Sequence, residues 1–241
     1  MTTNTQGKLS RRTFMKGTAG IGGGIAMASF ASTFGMGKAQ AAAANDDIQT
    51  IANLAATAET LAVTFYYAAI TGAKFSVDAA DVAYLRLAMD AEQYHLEILG
   101  TLGGKSLTQQ FYVPANVLSD PNVFIQTGLA AETAFVGAYL AATRVLAEGG
   151  HGKLAATTAQ HAASEAVHLS LIRDIAGLVP NDLALPAAIY YNVSDAVPTL
   201  APFLKGGEGF IGPVSYPTKA QFDAALAGVK ANRAPAYATI Y

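Results

Sequence analysis

From Asp47 onward the chain falls into four long stretches dominated by small and apolar residues, the first, third and fourth of them nearly empty of charge. Between Asp47 and Lys74 the one charged residue is Glu59, between Asp120 and Arg144 it is Glu132, and between Lys153 and Asp174 the one acid is Glu165. The edges of these stretches carry helix punctuation: Asn45-Asp46-Asp47 and then Gly72, Ser76 as a cap and then Gly103-Gly104, Asp120-Pro121 as a start, and Gly149-Gly150-His151-Gly152 as a turn before a last stretch closed near Gly177. The pattern predicts helices over about residues 47–71, 78–102, 121–148 and 153–177. Short links make the first two and the last two antiparallel neighbours. The link over residues 103–120 is long enough to cross the length of a bundle, which sets the third helix parallel to the second, and it is expected to be irregular.

A lone carboxylate on such an apolar helix costs several kcal/mol, as an order of magnitude, if buried without a partner. The acids are also not scattered. Glu59 is followed 33 residues later by Glu92-Gln93-Tyr94-His95, and Glu132 is followed 33 residues later by Glu165-Ala166-Val167-His168, so the second half repeats the first at an offset of 73. Around them Ala58-Glu59-Thr60 matches Ala131-Glu132-Thr133, Val63 and Tyr66 match Val136 and Tyr139, and Leu96 matches Leu169. A Glu and a His three residues apart on a helix lie about 60° apart around its axis, so both reach one centre. Two alike halves imply a site with pseudo-twofold symmetry. Carboxylates with imidazole and no thiolate suit iron, manganese or zinc, and four carboxylates with two neutral imidazoles balance two divalent ions. The alternative is a pair of buried Glu–His hydrogen bonds in a metal-free bundle, but each half carries a further lone Glu that fold stability does not call for.

Other residues near this set have weaker claims. Tyr66 and Tyr139 stand two turns beyond the lone glutamates, where they either shape the pocket or carry an electron, or, as the favoured reading, pack in the core with a satisfied hydroxyl. His161, one turn before Glu165, matches Ala88 in the other half; it is either an asymmetric third imidazole or supporting donor, or a solvated or capping residue. Asp90 and Glu97 are expected on a solvated face of the second helix.

Past Gly177 the texture changes to Pro, Gly and aromatic residues, including Pro180, Pro186, Pro198, Pro202, Pro213 and Pro217. Residues 178–241 are expected to form an ordered, irregular extension packed on the bundle, with a short helix near residues 219–230 opened by the capping box Thr218-Lys219-Ala220-Gln221. The first 41 residues have a different character: Ser10-Arg11-Arg12-Thr13-Phe14-Met15-Lys16, a Gly/Ala-rich run, and Ala39-Gln40-Ala41. They resemble a twin-arginine export signal with a signal-peptidase site, which implies the Tat export machinery as a partner and a periplasmic or extracellular destination. A transmembrane anchor is the alternative, against which stand the weak hydropathy of the run and its small-x-small ending. Loss of residues 1–41 removes five basic and no acidic residues, taking the formal net charge from −2 to −7 and arguing against nucleic acid as a partner. The chain has no cysteine, so disulfides and Cys-ligated iron–sulfur centres are excluded and electrons must come from an external donor.

The ordered set Glu59, Glu92-x-x-His95, Glu132, Glu165-x-x-His168 resembles the ferritin-like superfamily over residues 45–177. The resemblance implies an all-α four-helix bundle with one long crossover, holding two iron or manganese ions, with zinc as a further option. It implies Glu59 and Glu132 as terminal ligands, Glu92 and Glu165 as bridges, and His95 and His168 as one ligand to each ion. With the export signal and the aromatic, Pro-rich extension, the chain is most similar to exported members related to desiccation-associated ferritin-like proteins. Manganese catalases carry a similar set, so the ligand letters do not separate iron from manganese. The expected activity is oxidation chemistry with dioxygen or peroxide, of ferroxidase, peroxidase or catalase type. A non-catalytic metal-binding or stress role and a hydroxylase of organic substrates are the alternatives, and a homodimer is the expected assembly.

Overall fold

The structure, a computed structural model, describes residues 44–241. The export signal expected over residues 1–41 lies outside the described residues.

Four long helices form the bundle: α1 Ile48–Gly72, α2 Ala79–Thr101, α3 Pro121–Glu148 and α4 Gly152–Ile175. Their starts follow from local chemistry. Asp47 caps α1 by accepting from the Thr50 N–H at 2.7 Å, and Asp120 caps α3 by accepting from the Asn122 N–H at 2.9 Å with Pro121 opening the helix. α2 begins after Asp78 rather than at Ser76, without a side-chain cap bond. Small residues let the helices approach closely. The hydroxyls buried in α1 satisfy themselves: Thr57, Thr60 and Thr64 each donate to the carbonyl four residues earlier, at 2.6 to 2.7 Å. α3 is long and apolar enough to cross a membrane, but 67% of its most apolar window is buried inside the bundle and it carries Glu132 there, so it is a core helix.

The direction of each helix is fixed by side-chain pairs. Tyr66 of α1 bonds Glu132 of α3 while Tyr139 of α3 bonds Glu59 of α1, which requires these two helices to run antiparallel. His95 of α2 meets Glu165 of α4 while His168 meets Glu92, which does the same for that pair. With α1 and α2 antiparallel, α3 is parallel to α2, as a lengthwise crossover demands.

The crossover is not wholly irregular. It contains strand β1, Gln110–Pro114, which pairs antiparallel with β2, Phe210–Ser215, in register Gln110 with Ser215 and Pro114 with Phe210, broken by an irregularity between Phe111 and Val113. The partner strand lies about a hundred residues away, so pairing between the two short runs was invisible to local pattern. Phe111 is fully buried and packs with Leu61, Phe135, Leu200 and Phe203, which ties the ribbon to the bundle.

The extension wraps two sides of the bundle. A 3-10 turn at Val193–Ala196 and helix α5, Val197–Lys205, lie against α1 and α3. Gly137 of α3 permits this approach, since a Cβ there would stand 2.5 Å from Ile189 Cγ1. Helix α6, Lys219–Leu226, carries the expected capping box between Thr218 and Gln221 and buries Phe222 and Leu226 in the main core cluster. The chain then crosses the outer side of α2 and α4 and ends in the single turn α7, Tyr237–Ile240.

Candidate metal centre

Each half of the repeat contributes one face of the same buried cluster. Glu92 and Glu165 are fully buried, and Glu59 and Glu132 are 1% and 2% exposed. His95 Nδ1 stands 3.0 Å from Glu92 Oε2, 3.0 Å from Glu165 Oε1 and 3.5 Å from Glu59 Oε1. His168 Nδ1 stands 2.9 Å from Glu92 Oε1 and 3.2 Å from Glu165 Oε2. The 73-residue offset therefore maps the Glu92 and Glu165 contacts of one histidine onto those of the other, while the His95–Glu59 contact has no such match.

These atoms sort into two overlapping groups. Glu59, Glu92, His95 and Glu165 each place one donor atom within 4.8 Å of the others, and so do Glu92, Glu132, Glu165 and His168. Glu92 and Glu165 belong to both groups, the position of a bridge, while Glu59 with His95 and Glu132 with His168 belong to one group each. Both oxygens of Glu92 and Oε1 of Glu165 meet a histidine Nδ1 at ion-pair distance without an aligned hydrogen bond, and Oε2 of Glu59 and of Glu132 have no hydrogen-bond partner. Buried polar atoms are rarely left so. Four carboxylates converging on two imidazoles, with oxygens left over, form a donor set that could hold cations.

The electrostatics lead to the same conclusion. Burial, reinforced by the charges of Glu165 and Glu92, pushes the Glu59 carboxyl well above the usual carboxylate range; burial with Glu92 and Glu165 does the same to Glu132. For His95 burial opposes protonation, but Glu59 and Glu165 outweigh it and push the imidazole well above its ordinary value. His168 is raised in the same way by Glu92 and Glu165. Glu92 goes the other way, since the two histidines outweigh its burial and hold it below the usual range. The raised carboxyls of Glu59 and Glu132 and the raised imidazoles of His95 and His168 all show a cluster crowded with negative charge that positive charge relieves. Four carboxylates and two imidazoles in two overlapping groups fit a pair of divalent metals, which would take the place of protons there.

A family model described as a ferritin-like domain matches residues 46–178, more than half of the chain. The chain belongs to this ferritin-like family. Searches of curated proteins and of solved structures give no significant match. The matched span coincides with α1 to α4 and contains all six clustered residues of the ferritin-like bundle.

The tyrosines serve the cluster in a way the sequence pattern did not reveal. Both hydroxyls are satisfied, as core packing requires, but each donates across the bundle: Tyr66 to Oε1 of Glu132 and Tyr139 to Oε1 of Glu59. Each tyrosine thus fixes the lone carboxylate of the opposite half. The signal was present, because in antiparallel helices a residue seven positions past one Glu faces the other Glu. Both phenols are pushed well above their ordinary pKa by burial and then by those same carboxylates, so they stay protonated donors.

His161 is neither solvated nor capping. It is buried, its Nδ1 lies 2.8 Å from the Thr157 carbonyl, and its ring sits between His95, with centroids 4.6 Å apart, and Tyr139, at 4.9 Å. Burial and then the neighbouring His95 depress its pKa to about 4, so it is a neutral imidazole. Asp90 corrects the expectation of a solvated face. It is 1% exposed, because the C-terminal segment lies over it: Arg233 Nη2 reaches Oδ1 at 2.7 Å and the Ala231 N–H reaches Oδ2 at 2.9 Å. Glu97 remains exposed and takes the other arm of Arg233 at 2.9 Å.

That segment divides the outer side of α2 and α4 into two cavities that reach the cluster. One, of about 160 Å³, is lined by His95, His161, Gln160, Ser164, Asn232 and Arg233 among others. The second is a wide groove of about 660 Å³ that reaches His168 between Tyr84, Leu87, Val167 and Leu171.

Proposed function

We propose that the chain is an exported dinuclear metalloprotein, with iron or manganese as the ions, that reacts with dioxygen or peroxide. The observation that carries the reading is the sharing of Glu92 and Glu165 between two donor groups that each add one Glu and one His. In that reading Glu59 and His95 would hold one ion and Glu132 and His168 the other, with Glu92 and Glu165 available to both. Such a pair supplies two one-electron oxidations, matching the two electrons that reduce dioxygen to hydrogen peroxide or hydrogen peroxide to two waters, the two protons coming from solvent. The protein's part is positional. Tyr66 and Tyr139 hold the terminal carboxylates, burial excludes bulk water, and His161 keeps an unprotonated nitrogen beside the His95 position.

With no cysteine in the chain, electrons for turnover come from outside. The run Ser10-Arg11-Arg12-Thr13-Phe14-Met15-Lys16, read as a twin-arginine signal, supports loading and folding before export. Changing Arg11 and Arg12 to lysine should leave the precursor in the cytoplasm on fractionation. Homodimerisation is part of the proposal and is read by light scattering on a sizing column.

The deciding experiment is elemental analysis of protein purified without chelators. About two iron or manganese ions per chain, with oxidation of the reduced centre by dioxygen or peroxide, supports the reading. Two ions with no turnover favours a non-catalytic metal-binding or stress role, and no metal taken up at all sinks the proposal. A second reading, oxidation of an organic substrate, is favoured by the 660 Å³ groove that reaches His168, which lies in the size range of pockets for such molecules.

A further inference from the structure

His95 and His168 each keep a narrow exposed edge, 10% of the side chain for the first and 7% for the second, so neither is sealed from solvent. What stands outside the two edges differs. The groove that reaches His168 is wide, and the C-terminal segment contributes only Ala231 and Asn232 to its lining. The cavity that reaches His95 has about a quarter of that volume, and the same segment supplies Ala231, Asn232, Arg233, Ala234 and Ala236 to its wall.

The segment is attached in a way that lets it lift without disturbing the bundle. It leaves α6 through two consecutive residues with positive φ, Ala227 at 50° and Gly228 at 82°, and a Cβ added at Gly228 would meet nothing within 4 Å. Residues 229–236 belong to no helix or strand. Side chains of α2 and α4 hold them instead. Asp90 accepts from the Ala231 N–H at 2.9 Å and from Arg233 at 2.7 Å, and Glu97 takes the other arm of Arg233 at 2.9 Å. Tyr94 donates to the Ala234 carbonyl at 2.9 Å and Gln160 to the Pro235 carbonyl at 3.3 Å. Opening this segment breaks no helix bond, and it hydrates Asp90 and Arg233 together, so neither charge is left buried and alone. Such local openings cost less than unfolding the bundle.

We propose that residues 229–236 are a latched strap that sets how fast the His95 position exchanges its ion with solvent, while the His168 position exchanges through the open groove. The inference rests on the dinuclear reading. Neither donor group contains a strap residue, so the strap acts on the rate of exchange and not on the number of ions held. Arg233 on Asp90 and Glu97 is the latch, and the turn at Ala227 and Gly228 is the hinge.

The test is the time course of release from zinc-loaded protein mixed with an excess of a chromogenic chelator. Two phases of one ion each are expected, the second at least tenfold slower, the factor that one charge-assisted hydrogen bond of the latch accounts for. Histidine-ring 15N resonances recorded between the phases should show zinc retained at His95 and gone from His168. Asp90→Ala and Arg233→Ala should each bring the slow phase to within about threefold of the fast one, with the fast phase and the total of two ions unchanged. Gly137→Ala, which disturbs the extension on the α1 and α3 side, should leave both rates as they are. A single phase, retention at His168, or a slow phase that neither latch variant accelerates overturns the proposal. Equal acceleration by Gly137→Ala also overturns it, because release would then follow general loosening of the fold. If Asp90→Ala, two residues from Glu92, fails to hold two ions, Arg233→Ala decides. A wild-type chain that does not take up two zinc ions refutes the dinuclear reading itself, and the total released tells that outcome apart.

Discussion

Removing the metal should make the stability of this protein depend on pH in the opposite sense to the loaded form. Glu59 has a carboxylate oxygen within 4.8 Å of oxygens of both Glu92 and Glu165. At an effective dielectric of about 20, two like charges at that distance repel by about 3.5 kcal/mol, so ionising Glu59 against both neighbours is costly even with His95 protonated. The raised pKa of Glu59 and of Glu132 means that the folded chain holds these protons more tightly than the unfolded chain. Their contribution to stability is full below the ordinary carboxylate value near ~4.3 and is lost as pH rises through the folded value. His95 and His168 have the same sign, with a contribution full below ~6.5 that is also lost as pH rises. Glu92 is shifted down and works oppositely, but only at acid pH, where stability falls as it takes up a proton. From about pH 5 upward, metal-free protein should therefore lose stability.

Bound cations reverse the slope, because the ions need these groups deprotonated and compete with fewer protons as pH rises. At free metal a hundredfold above its dissociation constant the gain is about 2.7 kcal/mol. For a chain of this size that is roughly 5–11 °C in Tm. Calorimetry on chelator-stripped and reloaded protein from pH 5.5 to 8.5 measures both curves. The gap between them should open with pH. Parallel curves, or a metal-free Tm that climbs over this range, would refute the charge argument.

Three further outcomes follow from the geometry. Glu92→Ala or Glu165→Ala, each removing a shared carboxylate, should lower metal content from about two ions per chain to one or fewer by elemental analysis, while Glu97→Ala, on the exposed surface, leaves it unchanged. Tyr66→Phe and Tyr139→Phe should each weaken metal binding by about 10- to 100-fold in chelator competition, and by similar factors because their bonds are related by the repeat. Gly137→Ala drives a methyl into Ile189, 2.5 Å from its Cγ1, and should cost about 1–3 kcal/mol in urea unfolding by pushing the extension off α3.

What the sequence made legible was whatever repeats or is local. The four helices were readable because apolar runs, Asp caps and Gly stops are local signals, and they end within a few residues of where those signals place them: α4 stops at Ile175 against an expected 177, and α6 at Leu226 against 230. The cluster was readable because the offset of 73 tied six residues into one pattern before any contact was known. Contacts between distant segments were not. Asp90 read as solvated because its partner Arg233 lies 143 positions away in a segment with no helix or strand period. The β1–β2 pairing joins two strands too short and too far apart to announce each other. The destination of the tyrosine hydroxyls needed one more step, the antiparallel sense of α1 and α3, which the short links and long crossover already implied.

The parts of the molecule that escape the repeat are those that make the two halves of the centre unequal. The donor set is symmetric, but the approach to it is not. On the His95 half, His161 replaces alanine and the C-terminal segment narrows the access to a small polar cavity; on the His168 half the groove is wide and largely apolar. The segment is held over α2 and α4 by bonds it cannot make elsewhere: Arg233 to Asp90 and Glu97, Tyr94 Oη to the Ala234 carbonyl at 2.9 Å, and the Tyr237 N–H to Gln160 at 2.7 Å. A duplicated helical hairpin is enough to assemble two equivalent metal positions. Giving them different surroundings takes sequence outside the duplication, and here that means one residue of α4 and the last dozen residues of the extension. Asp90→Ala, which removes the buried anchor of that segment without touching a donor atom, should therefore leave metal content intact while exposing residues 227–236 to limited proteolysis. Resistance equal to wild type would show that the remaining bonds hold the segment without Asp90, and that the narrowing of the His95 side does not depend on it.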